Sequence, residues 1–169
     1  ETEAIQVFSD NLQNLLLLPP IPGKTVLGVD PGLRTGSKLA IVDDTGKLLA
    51  NDTIYPDPGG KENERTEKAR KTLSKLIRDY RVHYVAIGNG TGSREIGRLL
   101  ASVVKGDEAF RSIKRLVVNE AGASVYSTDD IAREEFPNLD ATIRSAVSIA
   151  RRLQDPLAEL VKIDPRSIG

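Results

Sequence analysis

The sequence predicts an α/β fold in which helices flank a mixed five-stranded sheet. Two apolar runs between Thr25 and Asp43 flank a Gly-rich turn, and this pattern indicates a β-hairpin. A third run, Leu48 to Tyr55, continues the antiparallel order. After residue 60 the pattern changes to short strands that alternate with amphipathic helices, which predicts parallel strands joined by crossover connections.

The elements of the second half follow in order. Residues 62–80 carry an apolar stripe among Lys and Arg, so we expect an amphipathic helix. Tyr84 to Ile87 is short, apolar and bounded by glycines, which predicts a buried strand. We expect Ser93 to cap the next helix and Leu116 to Val118 to form the fifth strand.

Two helices complete the fold. Ser127, followed three residues later by Asp130, resembles a capping box and predicts a short helix that ends near Pro137. The last helix carries an apolar stripe and ends or kinks at Asp155-Pro156. Its stripe consists of Ile143, Ala146, Val147, Ala150 and Leu153.

These elements divide the chain into three parts. Residues 1–23 form a leading helix and a Pro-rich linker, residues 24–155 form the α/β domain, and residues 156–169 form a helical extension toward a following domain. The chain has no Met and starts at Glu1, so we expect it to be a piece of a longer protein.

Composition excludes several classes of function. Lys and Arg number 24, as do Asp and Glu, so any nucleic-acid contact has to come from a local patch. Cysteine is absent, which excludes disulfides and thiolate metal sites and leaves oxygen ligands for any metal. Aromatic residues make up only 4%, which argues against a base-stacking surface. No apolar run is long enough to cross a bilayer, so we expect a cytoplasmic protein without a membrane partner.

Three acidic residues are candidates for a metal site. The element order is that of the ribonuclease H-like architecture, in which Asp30 ends the first strand and Glu120 follows the fifth. We expect the two to lie on adjacent strand ends, where they could hold Mg²⁺ for phosphodiester cleavage. Asp140, at the start of the last helix, is the candidate for a third ligand. The alternative is that these acids only shape turns and cap the helix.

Four arginines are candidates for nucleic-acid binding. The loop from Gly88 to Arg94 opens a helix, so its N–H groups and Arg94 could receive a phosphate. Arg144, Arg151 and Arg152 lie off the apolar stripe of the last helix and could contact a phosphate backbone. The alternatives are a turn that lets strand and helix pack closely and solvated charges near a helix end.

Four segments resemble the YqgF-like domain of the Tex family of bacterial transcription accessory proteins, over Thr25 through Ile168. The segments are VLGVDPGLRTGSKLAIVD, AIGNGTGSRE, VNEAGASVYS and AVSIARRLQDPLAELVKI. The resemblance implies a cytoplasmic protein associated with RNA or DNA and with the transcription machinery, whose clearest RNA-binding module lies outside this chain. It also implies distant kinship with RuvC-type Holliday-junction resolvases, whose first Asp and strand-end Glu match Asp30 and Glu120. The resolvase pattern has an Asp at the position of Thr142 or Ile143, so Asp140 is displaced from it.

We therefore expect a non-catalytic, nucleic-acid-associated ribonuclease H-fold domain that requires no cofactor. The alternative is a Mg²⁺-dependent, resolvase-like nuclease that uses Asp30, Glu120 and Asp140. A nucleotide-binding domain of the actin type would need a duplicated core and a second phosphate loop, and the sequence carries neither.

Overall fold

A computed structural model describes residues 2–16 and 20–167. Within these residues, five strands form one sheet in the order β3-β2-β1-β4-β5. Both pairings of β2 are antiparallel, whereas β4 pairs in parallel with β1 and with β5. The strands are β1 Val26–Asp30, β2 Ser37–Val42, β3 Leu48–Ile54, β4 Tyr84–Gly88 and β5 Lys114–Val118. The predicted mixed sheet, three antiparallel strands followed by two parallel ones, is confirmed.

Seven α-helices accompany the sheet in the described residues. They are α1 Thr2–Leu16, α2 Glu64–Asp79, α3 Ser93–Gly106, α4 Ala123–Thr128, α5 Asp130–Glu135, α6 Ala141–Gln154 and α7 Pro156–Leu160. Short 3₁₀ turns occupy Glu108–Phe110 and Pro165–Ser167. No helix in this part of the chain is both long and apolar enough to span a membrane.

Two predicted helix caps are wrong. Gly92, with a φ of 96°, precedes α3 and provides no side-chain cap, so Ser93 is the first residue of the helix. Ser127 lies inside α4, where its hydroxyl donates to the carbonyl of Ser124. The cap of α5 is Asp129, whose carboxylate accepts from Ile131 N–H at 3.2 Å. The chain therefore makes two short helices where the sequence suggested one.

Each face of the sheet buries its own core. The helices α2 and α3 cover one face, where Leu27, Leu39 and Leu73 are fully buried. The helix α6 covers the other face with Ala146, Ile149 and Ala150. Apolar side chains on both faces explain why β1 and β4 are almost continuously hydrophobic.

Gly28 sets the distance between β1 and α6. A Cβ atom at Gly28 would overlap the carbonyl oxygen of Ala146 and lie 2.7 Å from Ala150 Cβ. The helix therefore rests on the backbone of the strand, which only glycine permits at this point. This contact brings the first turns of α6 close to the end of β1.

The leading helix α1 carries exposed apolar side chains, Ile5 and Val7. Glu1, Leu17 to Pro19, Ile168 and Gly169 lie outside the described residues, so the predicted linker is described only from Pro20 onward.

Candidate carboxylate site

Asp30 is the last residue of β1 and is partly buried. Its neighbour across the antiparallel pair is Lys38 on β2. The Ser145 side chain of α6 lies within hydrogen-bonding reach of its carboxylate. Burial raises the pKa of Asp30, and the hydrogen bond and the positive charge of Lys38 only partly offset this. Asp30 is therefore a carboxylate that the fold holds at an energetic cost when it is charged.

The Glu120 side chain crosses the end of β4, and the charge of Asp30 acts on it there. The prediction of adjacent strand ends is wrong, because β4 lies between β1 and β5. The crossing is possible because β4 runs into Gly88-Asn89-Gly90. A Cβ atom at Gly88 or at Gly90 would overlap the Glu120 carboxylate. The two glycines therefore leave the space that the carboxylate occupies.

Backbone contacts fix the loop that carries Glu120. The Glu120 N–H donates to the side-chain oxygen of Asn89 at 3.0 Å. Arg152 Nη1 donates to the carbonyls of Asn119 and Ala121, at 2.8 and 2.7 Å, and so holds the residues on either side of Glu120. Arg152 is only 3% exposed. It is a positioning residue for Glu120, a role that no local pattern in the sequence indicates.

The two carboxylates influence each other. Burial raises the pKa of Glu120, and the negative charge of Asp30 raises it further. The N–H of Gly90 and the charge of Arg152 oppose this. Glu120 Oε2 is buried and has no hydrogen-bond partner among the described residues. A buried acid beside a second negative charge holds its proton more tightly than a solvated acid does, and Glu120 is in this state.

Asp140 is not part of this pair. It caps α6 by accepting from Thr142 N–H at 2.8 Å, and the Thr142 hydroxyl also donates to it. These hydrogen bonds lower the pKa of Asp140. In residues 2–16 and 20–167, no three Asp, Glu or His side chains lie close enough together to hold a metal ion. The residue that α6 presents to Asp30 is Ser145, one helical turn after Thr142.

The structure corrects the placement of three of the four predicted arginines. Arg144, which is 7% exposed, donates to the carbonyls of Phe136 and Ser127 and fixes the segments around α5. Arg151 donates to the carbonyl of Gly46 at 2.7 Å and forms a two-pronged ion pair with Glu135. With Arg152 buried as well, none of these guanidinium groups lies on an open basic face. The helix ends and loops around α6 contain backbone carbonyls that accept hydrogen bonds from these arginines.

Arg94 is exposed in the first turn of α3 and forms no ion pair with the described residues. Arg34 shares these two properties, and no local pattern in the sequence marks it. Leu33 lies against Gly92, within 3.0 Å of where a Cβ would be, so the β1–β2 loop touches the start of α3. This contact brings Arg34 and Arg94 to the same end of the sheet as the carboxylate pair. Their sequence separation hid the cluster.

Two clefts lie away from this site. One, of about 630 Å³, runs along Leu48, Phe136 and Arg151, and one of about 470 Å³ runs along Thr45, Gln154 and Lys162. Neither is lined by Asp30 or Glu120. Asp30 and Glu120, which follow the carboxyl ends of β1 and β5, therefore lie outside both clefts, and we call this end of the sheet the carboxylate corner.

Comparison with protein families decides the identity of the chain. Residues 24–154 match the family model described as the Tex protein YqgF-like domain. The chain belongs to the Tex family. All 169 residues align with the protein tex of Bordetella pertussis at 53% identity and with the transcriptional accessory protein Tex of Neisseria gonorrhoeae, also at 53%. A human relative, S1 RNA-binding domain-containing protein 1, is 45% identical over 170 residues. The chain spans about a fifth of these relatives, 21% of the bacterial proteins and 17% of the human one.

Solved structures confirm the fold of this Tex YqgF-like domain. RuvC of Thermus thermophilus, in complex with a Holliday junction substrate, superposes with a TM-score of 0.55. The match covers 83% of this chain and 98% of RuvC at 17% identity. At that identity the likeness establishes the ribonuclease H-like fold and nothing about activity.

Proposed function

We propose that this Tex YqgF-like domain is a non-catalytic, nucleic-acid-associated domain of a transcription accessory protein. The observation that carries the proposal is the residue that α6 presents to Asp30. That residue is Ser145, a neutral side chain, whereas Asp140 is engaged in capping the helix. The corner therefore keeps the geometry of a carboxylate site with two acids only.

The residues present do not fit a two-metal site. Two divalent ions about 4 Å apart require several anionic ligands, and this corner supplies Asp30 and Glu120. The pKa values of both acids are raised, so each already resists ionisation, and Lys38 places a positive charge beside Asp30. We derive no catalytic step through a metal. On this proposal the domain requires no cofactor.

A cleavage assay tests the absence of catalysis. The 169-residue chain is incubated with a four-way DNA junction and with an RNA/DNA hybrid in Mg²⁺ or Mn²⁺. We expect no cleavage above that of the Asp30→Asn variant. Cleavage that Asp30→Asn abolishes would refute the proposal and establish the alternative, a metal-dependent nuclease, which the convergence of Asp30 and Glu120 favours.

A variant with an added carboxylate tests whether Ser145 occupies the position of the missing third ligand. Ser145→Asp adds a third carboxylate where α6 faces Asp30. We expect it to raise the affinity for Mn²⁺ by about ten-fold, as measured by calorimetry. Ser145→Asn is the matched neutral control and should leave the affinity unchanged. Equal affinities of the two variants would show that Ser145 does not occupy the ligand position.

The nucleic-acid surface that we propose is the pair Arg34 and Arg94, next to the carboxylate corner. Both are exposed, both lack an ion pair among the described residues, and the contact between Leu33 and Gly92 brings their loops together. Lys38, which is half-buried on β2, adds a third positive charge nearby. Two or three cations give modest affinity with a steep dependence on salt. In the longer protein, other domains would then supply most of the affinity.

Charge reversal tests this surface. Fluorescence anisotropy is measured with a labelled single-stranded RNA and a labelled four-way DNA junction at two salt concentrations. We expect Arg34→Glu with Arg94→Glu to weaken binding about ten-fold at low salt. The matched control, Lys71→Glu with Lys75→Glu on the exposed side of α2, changes the net charge equally and should have a much smaller effect. Equal losses for the two double variants would mean that only net charge matters.

A further inference from the structure

The strand β5 is an edge of the sheet that the described residues leave open. It is last in the strand order, and its residues Lys114 to Val117 are exposed. Val117 is 69% exposed and Leu116 is 36% exposed. An apolar edge strand with an open side is a template for strand addition unless something covers it.

The hydrogen-bonding groups that face outward can be assigned. Lys114 N–H donates to His83 O at 3.3 Å, and Val118 O accepts from Asn89 N–H at 3.1 Å, so both residues face β4. In a parallel pair, alternate residues bond to opposite sides. The N–H and C=O groups of Arg115 and Val117 therefore point away from the sheet. No backbone hydrogen bond within the described chain uses them.

The helix α3 lies beside this edge of the sheet. Arg115 Nη1 donates to the carbonyl of Gly97 at 3.3 Å, which fixes the helix beside the strand. A Cβ atom at Gly97 would meet nothing within 4 Å, so there is room beside the helix at this point. Arg115 and the free space at Gly97 therefore define a groove between the edge strand and the start of α3.

The opposite edge of the sheet is protected. Its strand, β3, carries exposed Asn51 and Asp52 in its middle, and its pairing with β2 shifts register between Ile41 and Val42. Polar residues and irregular pairing are common ways to prevent strand addition. The strand β5 has charged residues only at its start, Lys114 and Arg115, whereas Leu116 to Val118 are apolar and its pairing with β4 is regular.

We propose that β5 and α3 form a docking groove for an extended acidic polypeptide segment, which adds to the sheet as a sixth strand. Its backbone pairs with Arg115 and Val117, and its acidic side chains meet Lys114 and Arg115. Neither Lys114 nor Arg115 forms an ion pair with the described residues. This mode of binding takes affinity from main-chain hydrogen bonds and selectivity from side chains.

Two other occupants fit less well. A nucleic-acid strand cannot pair with the alternating N–H and C=O groups of Arg115 and Val117, and it gains nothing from the apolar Val117. A second copy of the chain would place its own Lys114 and Arg115 near those of the first copy. Like charges across a strand pair oppose such a dimer.

The test uses a labelled peptide of sequence Glu-Val-Glu-Val-Glu-Val-Glu and the 169-residue chain, with binding followed by fluorescence anisotropy. We expect saturable binding that Val117→Pro weakens about five-fold, because proline removes the outward N–H while Leu116 and Val118 keep their bonds to β4. The matched control is Val117→Thr, which keeps that N–H and should bind normally. Lys114→Glu with Arg115→Glu should weaken binding by at least as much.

A second arm does not depend on any variant folding well. The same peptide methylated at alternate backbone nitrogens cannot form the ladder, and we expect it to lose binding to the unmodified protein. The proposal is overturned if the peptide does not bind, or if methylation and Val117→Pro both leave binding intact. It is also overturned if the Lys114/Arg115 variant loses affinity only for a single-stranded RNA. Sedimentation of a dimer that Val117→Pro dissociates would assign the edge to a second copy.

Discussion

Asp30 and Asp140 both lie near Lys38 and the start of α6, yet their surroundings shift their pKa values in opposite directions. Burial raises the pKa of Asp30, and the like charge of Asp30 contributes to the raised pKa of Glu120. Asp140 is exposed and accepts hydrogen bonds from Thr142, which lower its pKa. One acid opposes the folded state when it is charged, and the other supports it. An acid near the start of α6 is therefore a helix cap or a buried carboxyl with a raised pKa according to the donors within its reach.

Among changes around these acids, the largest loss of stability should come from replacing Arg152, which holds the loop around Glu120. Arg152→Met leaves the carbonyls of Asn119 and Ala121 without their donor. We expect a loss of about 2–3 kcal/mol in the free energy of unfolding, measured with urea at neutral pH. The exposed Arg133, changed to Met, is the control and should cost less than about 0.5 kcal/mol. Similar losses for the two variants would mean that Arg152 does not organise the loop.

Asp140→Ala should come next, because it removes the cap of α6. We expect a loss of about 1 kcal/mol at pH 7. The pKa of Asp140 is lowered by folding, so its contribution is present at neutral pH and disappears as pH falls through that lowered value. Urea unfolding from pH 7 down to pH 2 measures this. Asp140→Asn, which can still cap, should retain most of the stability, and an equal loss in both variants would contradict the capping role.

Asp30→Asn should change the free energy of unfolding in the opposite direction and stabilise the protein. The pKa of Asp30 is raised by folding, so its contribution against folding develops as pH rises through the pKa of the unfolded chain and is complete above the raised value. We expect the variant to be more stable than the parent by somewhat less than 1 kcal/mol at pH 7, after allowance for solvent screening, and equal to it below about pH 3. Thermal unfolding across this pH range measures the difference. Destabilisation at pH 7 would show that Ser145 and Lys38 outweigh burial.

A double-mutant cycle separates the effect of the pair from that of burial. If Asp30 and Glu120 repel each other, Asp30→Asn with Glu120→Gln should stabilise by less than the sum of the single changes. Additive effects would mean that the two carboxylates are independent.

Gly90→Ala should give the smallest change in stability. The three atoms nearest to the added methyl all belong to Glu120, a flexible side chain that can move. We expect Glu120 to shift away and its own pKa to fall, because burial and the charge of Asp30 would raise it less, with less than about 0.5 kcal/mol of stability lost. NMR titration measures the pKa. Gly97→Ala is the control, because a Cβ atom there meets nothing within 4 Å, and it should leave the pKa of Glu120 unchanged. An unchanged pKa of Glu120 in Gly90→Ala would contradict the crossing of Glu120 over β4.

The sequence was sufficient to predict most of the fold. Apolar runs and helical stripes are local patterns, so the five strands, the long helices and their order could be predicted. The sequence also identified Asp30 and Glu120 as neighbours. It placed them on adjacent strands, however, because the insertion of β4 between β1 and β5 is a property of the sheet and not of either segment.

Side-chain roles on α6 could not be predicted in the same way. Helical spacing separates Arg144, Arg151 and Arg152 from the apolar stripe, and this spacing predicts that their guanidinium groups are exposed to solvent. The helix is in fact surrounded by loops whose free carbonyls accept from these arginines. The role of Ser145 was hidden for a related reason, since the turn of α6 that meets Asp30 depends on the close packing of Gly28 against Ala146.

The order of the sheet also has a consequence for the time course of folding. The β1–β2–β3 meander pairs segments that are close in sequence, so it can form early. Asp30, at its edge, gains its neighbours only when β4 has paired with β1 and when α6, which supplies Ser145 and Arg152, has docked. During synthesis from the N-terminus, the acidic corner is therefore among the last parts of the domain to be assembled. In refolding chains, hydrogen exchange should show that the amides of β2 become protected well before the amide of Glu120.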